Sequence, residues 1–208
     1  MLYTSTVDSN TLSILKQLLD LTILKDFSLV GGTALSLQYG HRISVDLDLF
    51  SNEKFEHNEI LKSFQGNFGN KFKYEGNFSR FGIFCFIDDI KIDIVHYPHK
   101  IIAPLDIRDG IRMYNSIDIS AMKIQAILGR GKKKDFWDIA ELLNHFSIQD
   151  IINNNSQKYP NQMLMISIPQ ALTYFTDANE SEDPISLKGQ TWESVQTIIK
   201  QKVSEYLS

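Results

Sequence analysis

The sequence predicts an α+β domain with a mostly antiparallel or mixed sheet, followed by a C-terminal helical region. Three patterns support this fold class. Apolar residues recur at helical spacing near the N-terminus, several later segments alternate with a period of two, and helical patterns dominate from about residue 116 onward. We therefore expect a sheet-containing core over residues 1–115 and a helical region over residues 116–208.

Composition limits the class of protein. The chain has 208 residues, of which 43% are hydrophobic, and this is enough to bury a sizeable core. Its single cysteine, Cys85, excludes an internal disulfide framework and is expected to be a small buried apolar residue. The net charge of −4 argues against a dedicated nucleic-acid binder, although it allows a local basic patch.

Targeting signals are not apparent in the sequence. No apolar run approaches the ~18 residues that a membrane-spanning helix needs, and the first ten residues lack the basic start of a signal peptide. We therefore expect a cytoplasmic protein with no membrane partner.

The predicted core alternates between helices and strands. In chain order it has a helix over residues 11–24, a strand over 27–30, a helix over 33–39, a strand over 44–50 and a helix over 56–69. Ser9 or Asn10 is expected to cap the first helix. Residues 80–88 and 90–98 are expected to form a β-hairpin that turns at Asp88 and Asp89.

The C-terminal region is predicted to be helical with one long polar loop. The expected helices cover residues 116–130, 132–146, roughly 148–157, roughly 161–175 and 191–207, and the loop covers 177–190. Thr191 is the expected N-cap of the last helix, and Glu193 places negative charge in its first turn.

Acidic residues lie on strands in a pattern that indicates a metal site. On a strand over residues 44–50, Asp46 and Asp48 would project from one face about 6–7 Å apart. Asp93 lies on the second hairpin arm, on the face opposite Ile92 and Ile94. If the two strands pair, three carboxylates meet, and their repulsion and desolvation would cost several kcal/mol without a cation. Oxygen ligands of this kind suit Mg²⁺ or Mn²⁺.

This acidic pattern also has an ordinary explanation, because alternating acids can simply mark the solvent face of an edge strand. The preceding glycines favour the metal site. Gly31 and Gly32 follow a strand and open a helix, so free N–H groups at the helix start can bind an anion, while Thr33 can add a hydroxyl donor or cap the helix. A tight turn would explain the glycines alone. Together with the acids, they indicate a cradle for the tail of a nucleoside triphosphate.

Residues 31–50, "GGTALSLQYGHRISVDLDLF", resemble the signature of the AbiEii/AbiGii-type nucleotidyltransferase toxins, within the DNA polymerase β-like nucleotidyltransferase superfamily. The matching positions are Gly31, Gly32, Thr33, Gly40, His41, Arg42, Ser44, Asp46 and Asp48, followed by Asp93 on a later strand. A second block of the family is matched by Lys123, Arg130, Lys134, Asp135, Phe136 and Asp138. The resemblance runs from about residue 27 to residue 146.

The resemblance implies a fold and an activity. The fold would be a nucleotidyltransferase-type mixed sheet with flanking helices, with the nucleotidyltransferase core over residues 1–115. The activity would be transfer of a nucleoside monophosphate (NMP) from a nucleoside triphosphate (NTP) to an acceptor hydroxyl on RNA (tRNA) or protein, with release of pyrophosphate. The resemblance also implies the toxin of a toxin–antitoxin or abortive-infection system, and hence a possible cognate antitoxin.

Site residues follow from the same resemblance. Asp46 and Asp48 would hold two metal ions, and Asp93 would complete the metal site and could help to deprotonate the acceptor. Lys123 would neutralise triphosphate charge, and Asp135 would orient that lysine or the acceptor. The expected nucleotide-binding residues are Gly31, Gly32, Thr33, Arg42, Lys123 and Arg130.

The sequence leaves several alternatives open. Arg42 could contact phosphate or could form a structural salt bridge with the acidic cluster. The basic run of Arg130 and Lys132 to Lys134 could be a solvated helix entry, or it could hold triphosphate or a tRNA end. A non-catalytic nucleotide- or partner-binding module and a small-molecule (antibiotic-type) nucleotidyltransferase are the rival functions.

Overall fold

The computed structural model describes residues 1–76 and 79–208, and these residues form a seven-stranded mixed sheet. The strands are β1 (Ser28–Leu29), β2 (Leu47–Ser51), β3 (Phe72–Lys73), β4 (Gly82–Ile87), β5 (Ile90–His96), β6 (Asp106–Arg108) and β7 (Ile111–Met113). Their order across the sheet is β3-β4-β5-β2-β1-β7-β6. β2 runs parallel to β5 and β1 runs parallel to β7, whereas the other neighbours are antiparallel.

Helices cover the sheet and form the C-terminal part. Those in the described residues are α1 (Ser9–Asp20), α2 (Gly31–Tyr39), α3 (His57–Phe68), α4 (Ser116–Gly129), α5 (Lys133–Leu142), α6 (Ile148–Lys158), α7 (Ile168–Thr173) and α8 (Trp192–Leu207). The predicted mixed sheet with flanking helices is confirmed. The change from strands to helices falls between β7 and α4, and one apolar core unites the two parts.

The ends of α1 differ from the prediction. Asp8, rather than Ser9 or Asn10, caps the helix, because its side chain accepts hydrogen bonds from the backbone N–H groups of Asn10 and Thr11. The helix ends at Asp20 instead of continuing to residue 24, and residues 22–24 form a short 3₁₀ turn.

Strand β2 begins three residues later than predicted. The expected strand over residues 44–50 is wrong in its first part, and Val45 is 62% exposed instead of sharing a buried face with Leu47 and Leu49. The reason is that the backbone N–H groups of the two residues before Val45 donate hydrogen bonds to segments outside the sheet. Ile43 N–H donates to the carbonyl of Ile185, and Ser44 N–H donates to the carbonyl of Thr6. Residues 43–46 therefore form a loop that leads into the strand.

Two hairpins of the sheet turn at residues with positive φ. Asp88 and Asp89, with φ of 53° and 64°, connect β4 to β5 and confirm the predicted hairpin. The hairpin of β6 and β7 was not predicted. Its Asp109-Gly110 turn carries a recognisable hairpin signal, but its strands have only three residues each and are too short to show alternation.

The C-terminal helices follow the prediction except at α5 and α7. Helix α5 ends at Leu142, four residues before the predicted end at residue 146. The expected helix over residues 161–175 is confined to Ile168–Thr173, because Ser167 caps the helix through a hydrogen bond from Gln170 N–H. Thr191 caps α8 as predicted. Among the described residues, no helix combines the length and apolarity that crossing a membrane would need.

The core contains the side chains expected to pack there. Phe136 and Trp137 are buried on α5, and Trp192 of α8 stacks on Trp137 with ring centroids 6.0 Å apart. Cys85 is buried on β4, and burial raises the pKa of its thiol to about 12. The predicted role of Cys85 as a small buried apolar residue is therefore confirmed.

A buried ion pair fixes α4 to α6. The Lys158 ammonium lies 2.6 Å from a carboxylate oxygen of Asp118 and donates to the carbonyl of Lys100 at 3.0 Å. The same carboxylate accepts the backbone N–H groups of Ile102 and Ala103. Both side chains are fully buried, so neither charge can be solvated if its partner is removed.

We predict that Asp118→Ala lowers the free energy of unfolding by about 3–5 kcal/mol, because the Lys158 charge stays buried without its partner. Urea denaturation followed by circular dichroism measures this loss. Glu205→Ala is the control, since its exposed pair with Lys202 should contribute less than about 1 kcal/mol. A loss below about 1 kcal/mol for Asp118→Ala would contradict the prediction.

Candidate active site

A cleft of about 680 Å³ opens between the sheet, the start of α2 and one face of α4. Most of the site residues predicted from the sequence line this cleft, namely Gly31, Gly32, Thr33, Arg42, Asp46, Asp48, Asp93, Lys123 and Arg130. Asp135 is the exception, because it is buried behind the wall. The fold therefore brings together side chains that are up to 99 positions apart in the chain (31 to 130).

Two aspartates lie side by side on the floor of the cleft. Asp48 of β2 and Asp93 of β5 are register partners in the parallel pair, so their side chains project from the same sheet face. Their backbone neighbours Leu47, Leu49 and Ile92 point into the core and are fully buried. The sequence left the pairing of these two acidic strands as a condition of the predicted metal site, and in the structure the strands do pair.

Each oxygen of Asp93 has a different environment. Oδ2 lies 2.6 Å from the ammonium of Lys91, which shares its strand face. Oδ1 is buried, and none of the described residues donates a hydrogen bond to it. A buried carboxylate oxygen without a partner is costly, so it marks a place where a cation or a proton donor can bind.

The surroundings of Asp48 destabilise the ionised form of its carboxyl group. Burial raises the pKa of its carboxyl, and the neighbouring charge of Asp93 raises it further, against the opposing effect of Lys91 and Lys123. A divalent cation would reverse both effects, because it would neutralise the two carboxylates together.

The start of α2 lies directly above Asp48. Gly31 has φ of +69°, and a Cβ atom on it would lie 2.7 Å from Asp48 Oδ2, so only glycine fits at this position. The N-cap residue, Val30, provides no side-chain cap. Among the residues that the structure describes, the first N–H groups of α2 thus have no side-chain cap. Uncapped N–H groups of this kind can bind a phosphate at a helix N-terminus.

Thr33 and Asp46 differ from the sequence prediction. The Thr33 hydroxyl neither caps α2 nor is exposed to the cleft, because it is buried, donates to the Asp46 carbonyl at 2.5 Å and lies 2.8 Å from Ser44 Oγ. Asp46 lies in the loop before β2, and its carboxylate is 3.5 Å from the ammonium of Lys134. Thr33 therefore fixes the loop that carries Asp46.

Two of the three predicted carboxylates, Asp48 and Asp93, are placed to hold a metal ion together, whereas Asp46 is not. Within residues 1–76 and 79–208, no group of three or more His, Cys, Asp or Glu side chains is arranged to hold a metal. The expected convergence of three acids is therefore incomplete in this structure, since Asp46 faces Lys134. The Asp48–Asp93 pair does fit a hard divalent cation, on the basis of the unpartnered Asp93 Oδ1 and the all-oxygen donor set.

The opposite wall carries buried positive charge. Lys123 of α4 lies 3.0 Å from Asp135 and 2.6 Å from Asp138. Burial lowers the pKa of Lys123, but Asp138 and Asp135 outweigh this effect and raise it. Arg130, at the end of α4, donates two hydrogen bonds of 3.1 Å to Asp135 and remains half exposed at the cleft. Asp135 thus orients two cations without itself reaching the cleft.

Arg42 forms its ion pair with Asp138, which does not belong to the predicted acidic cluster. Its guanidinium makes two hydrogen bonds to Asp138, of 2.7 and 2.9 Å, and a third to the carbonyl of Ile43. A Cβ atom on Gly32 would lie 2.1 Å from Arg42 Nη2, so Gly32 leaves room for this guanidinium beside the start of α2. The structural salt bridge with Asp46 or Asp48 that the sequence left open is not formed.

Asp138 is the important residue that sequence reasoning did not assign to a role. Its carboxylate lies 2.7 Å from His41 Nε2 and also pairs with Arg42 and Lys123. The Asp138 side chain is fully buried. Burial raises the pKa of Asp138, but Arg42 and Lys123 hold it well below its usual value. A signal was present, because Asp135 and Asp138 are three apart on a helix and so share one face.

The basic run divides between the cleft and the surface. Lys132 and Lys134 line the cleft, whereas Lys133 pairs with Asp183 at 2.6 Å in the loop after α7. The same loop also helps to hold the site in place, since its Ser186 forms an isolated β-bridge with Arg42.

One end of the cleft is apolar. Phe50 follows Asp48 by two residues on the same face of β2, and its ring lies 5.2 Å from that of Tyr97. Ile119 and Met122 of α4 also line the cleft. The cleft therefore has a charged end near Gly31 and an aromatic end near Tyr97.

Comparisons with known proteins agree with this geometry. A family model described as "Nucleotidyl transferase AbiEii toxin, Type IV TA system" matches residues 13–159. An uncharacterised protein of Aquifex aeolicus is 33% identical over 201 residues, which cover 93% of this chain and 94% of that protein.

Solved structures share the fold at low sequence identity. JHP933 from Helicobacter pylori has a TM-score of 0.58 at 18% identity, over 96% of this chain and 92% of that one. MenT4, a nucleotidyltransferase toxin of Mycobacterium tuberculosis, has a TM-score of 0.55 at 12% identity, over 92% and 80% of the two chains. With the family match over most of its length, the chain is a nucleotidyltransferase and belongs to the AbiEii family of nucleotidyltransferase toxins.

Proposed function

We propose that this protein transfers NMP from an NTP to an acceptor hydroxyl in a metal-dependent reaction. The observation that carries this proposal is the position of the Asp48–Asp93 pair directly below the uncapped start of α2. A phosphate at the helix start would be within reach of whatever the two carboxylates hold. This arrangement suits phosphoryl chemistry, in which positioning and charge stabilisation provide most of the catalysis.

The triphosphate would occupy the charged end of the cleft. The N–H groups at Gly31 and Gly32 would bind phosphate oxygens, and Lys123 and Arg130 would neutralise their charge from the opposite wall. Because Asp135 and Asp138 fix Lys123, its ammonium is already in place before the nucleotide binds. The nucleoside would then extend toward the aromatic end at Phe50 and Tyr97.

Mg²⁺ or Mn²⁺ ions, two of them by family resemblance, would be held by Asp48 and Asp93, with Asp46 joining when it leaves Lys134. When bound, such ions stabilise the attacking and leaving oxygens of an in-line displacement. The protein's own residues orient the reactants around them.

The transfer step is a single substitution at phosphorus. The acceptor oxygen bonds to the α-phosphorus, the bond from that phosphorus to the oxygen bridging it to the β-phosphate breaks, and pyrophosphate leaves. The Asp93 carboxylate would accept the proton of the acceptor hydroxyl. Arg130 and Lys123 would stabilise the departing pyrophosphate.

Membership of this family suggests a protein partner. Its description places it in a toxin–antitoxin system, so a cognate antitoxin encoded with this protein is part of the proposal. RNA and protein are both compatible with this chemistry as acceptors, since each class offers free hydroxyl groups.

We predict that Asp48→Asn abolishes transfer. The full-length protein is incubated with each of the four NTPs labelled at the α-phosphate, with Mg²⁺ and cell extract, and the labelled species are separated. We expect label on a macromolecule and a loss of about 10³-fold or more in the variant, since removing a metal-holding carboxylate forfeits several kcal/mol of transition-state stabilisation. Asp109→Asn, in the exposed turn between β6 and β7, is the control.

Other outcomes of this labelling assay select the rival functions. Nucleotide binding without transfer of label to any species would support a non-catalytic binding module. Label found only on a small metabolite would support a small-molecule nucleotidyltransferase.

We also predict that Asp48→Asn raises the melting temperature (Tm) of the metal-free protein at pH 7 by roughly 2–4 °C, the shift that about 1 kcal/mol produces in a chain of this size. The folded-state pKa of Asp48 is raised, so its contribution to stability is present below the unfolded pKa and is lost as pH rises through the folded pKa. The gain in the variant should therefore disappear near pH ~3.5, where both proteins carry an uncharged group.

Metal addition provides the matching test of the same residue. Mg²⁺ or Mn²⁺ should raise the Tm of the wild type by binding the folded state, and it should leave the Asp48→Asn variant nearly unchanged. Equal shifts in the two proteins would show that the metal binds elsewhere.

A further inference from the structure

Two phenylalanines are exposed on the sheet beside the cleft. Phe84 and Phe86 of β4 are 45% and 40% exposed, whereas the alternate residues Ile83, Cys85 and Ile87 are buried. Neither exposed ring packs against another aromatic ring among the described residues. We call these two side chains the β4 aromatic surface. Large apolar side chains exposed side by side on a sheet commonly mark a binding surface.

The β4 aromatic surface is continuous with the active site. Phe84 is the register partner of Asp93 in the antiparallel pair of β4 and β5, and Asp93 is in turn the partner of Asp48. Register partners share a sheet face, so Phe84, Asp93 and Asp48 form one row across three neighbouring strands. Phe84 thus lies about 5 Å from Asp93, on the side away from the Gly31 cradle.

Cations flank this surface. Phe86 is paired in register with Lys91 on one side and with Lys73 on the other, so both lysines share its face. The Lys73 ammonium is exposed and pairs with the exposed carboxylate of Asp89. Exposed pairs of this kind are weak and exchange readily, so Lys73 can contact an incoming phosphate.

We propose that the β4 aromatic surface binds the acceptor, and that this acceptor is a single-stranded end of nucleic acid whose bases stack on Phe84 and Phe86. This inference rests on the proposed transfer reaction. Two aromatic residues at positions i and i+2 of a strand lie about 6–7 Å apart, and exposed sheet aromatics are how several RNA-binding modules stack consecutive bases. A base on Phe84 would place the terminal hydroxyl beside Asp93, the residue proposed to accept its proton.

The observations favour nucleic acid over a protein acceptor. Stacking needs a flat ring face with a nearby cation for the backbone phosphate, and both are present at Phe86, Lys73 and Lys91. A protein docking surface would need a larger apolar area than two isolated rings supply. The overall charge of −4 is compatible, since the contact is local.

Binding of a short RNA tests the surface without requiring catalysis. The probe is an eight-nucleotide single-stranded RNA with a free 3′-hydroxyl and a fluorescent 5′ label, and the dissociation constant of the full-length protein is measured by anisotropy without NTP. The double variant Phe84→Leu, Phe86→Leu keeps apolar area but loses stacking, so we expect binding to weaken at least about tenfold. The double variant Phe84→Tyr, Phe86→Tyr keeps the rings and should bind within about twofold of the wild type.

Two controls define what the surface contributes. Ile107→Ala removes an exposed apolar side chain from β6, at the opposite edge of the same sheet, and should leave RNA binding unchanged. Binding of NTP with Mg²⁺ should be the same in all these variants, because neither phenylalanine lines the cleft.

The outcomes separate the proposed surface from the proposed reaction. RNA binding that is equally tight in the leucine double variant would overturn the surface, as would label transferred to a protein and retained in that variant. If binding depends on the two rings but no species receives label from any NTP, the surface stands and the proposed transfer reaction fails.

Discussion

The buried carboxylate of Asp138 is the interaction on which the geometry of the site depends. It is contacted by His41 and Arg42 from the loop after α2 and by Lys123 from α4, so one helix residue joins the sheet-containing core to the helical region. Charges buried in this way are tolerated only when each has a partner, which fixes the three segments relative to one another. This network holds the two walls of the cleft in position and keeps the Lys123 ammonium beside Asp135 and Asp138.

The site sets two groups of carboxylates in opposite electrostatic environments. Asp135 and Asp138 lie among cations, and their pKa values are lowered although burial opposes this. Burial raises the pKa of Asp48, as does its neighbour Asp93, so this anion is stabilised only when another positive charge arrives. The first group positions side chains, and in the proposed function the second would supply the binding energy for a cation. This division agrees with the membership of the chain in a nucleotidyltransferase family.

The sheet suggests how the two proposed substrates would be oriented relative to its strands. Along β2 the same face carries Asp48 and then Phe50, so the cleft changes from charged to aromatic over two residues. Across the strands, the row from Asp48 through Asp93 to Phe84 leads out of the cleft to an exposed surface. In this proposal, the nucleotide lies along the strands and the acceptor approaches across them, with Asp93 where the two directions meet.

The sequence by itself determined the fold class, the order of most elements and the hairpin at Asp88–Asp89, because periodicity and turn chemistry are local properties. The pairing of the strands that carry Asp48 and Asp93 was only a condition of the predicted metal site, and the tertiary structure decided it. Only the tertiary structure decided that Asp46 stands apart with Lys134, that the Thr33 hydroxyl is used to hold the loop, and that Arg42 pairs with Asp138. Each of these depends on which of several competing partners a polar group finds, and those partners lie far apart in the chain. Arg42 and Asp138, for example, are 96 positions apart, and no local pattern relates them.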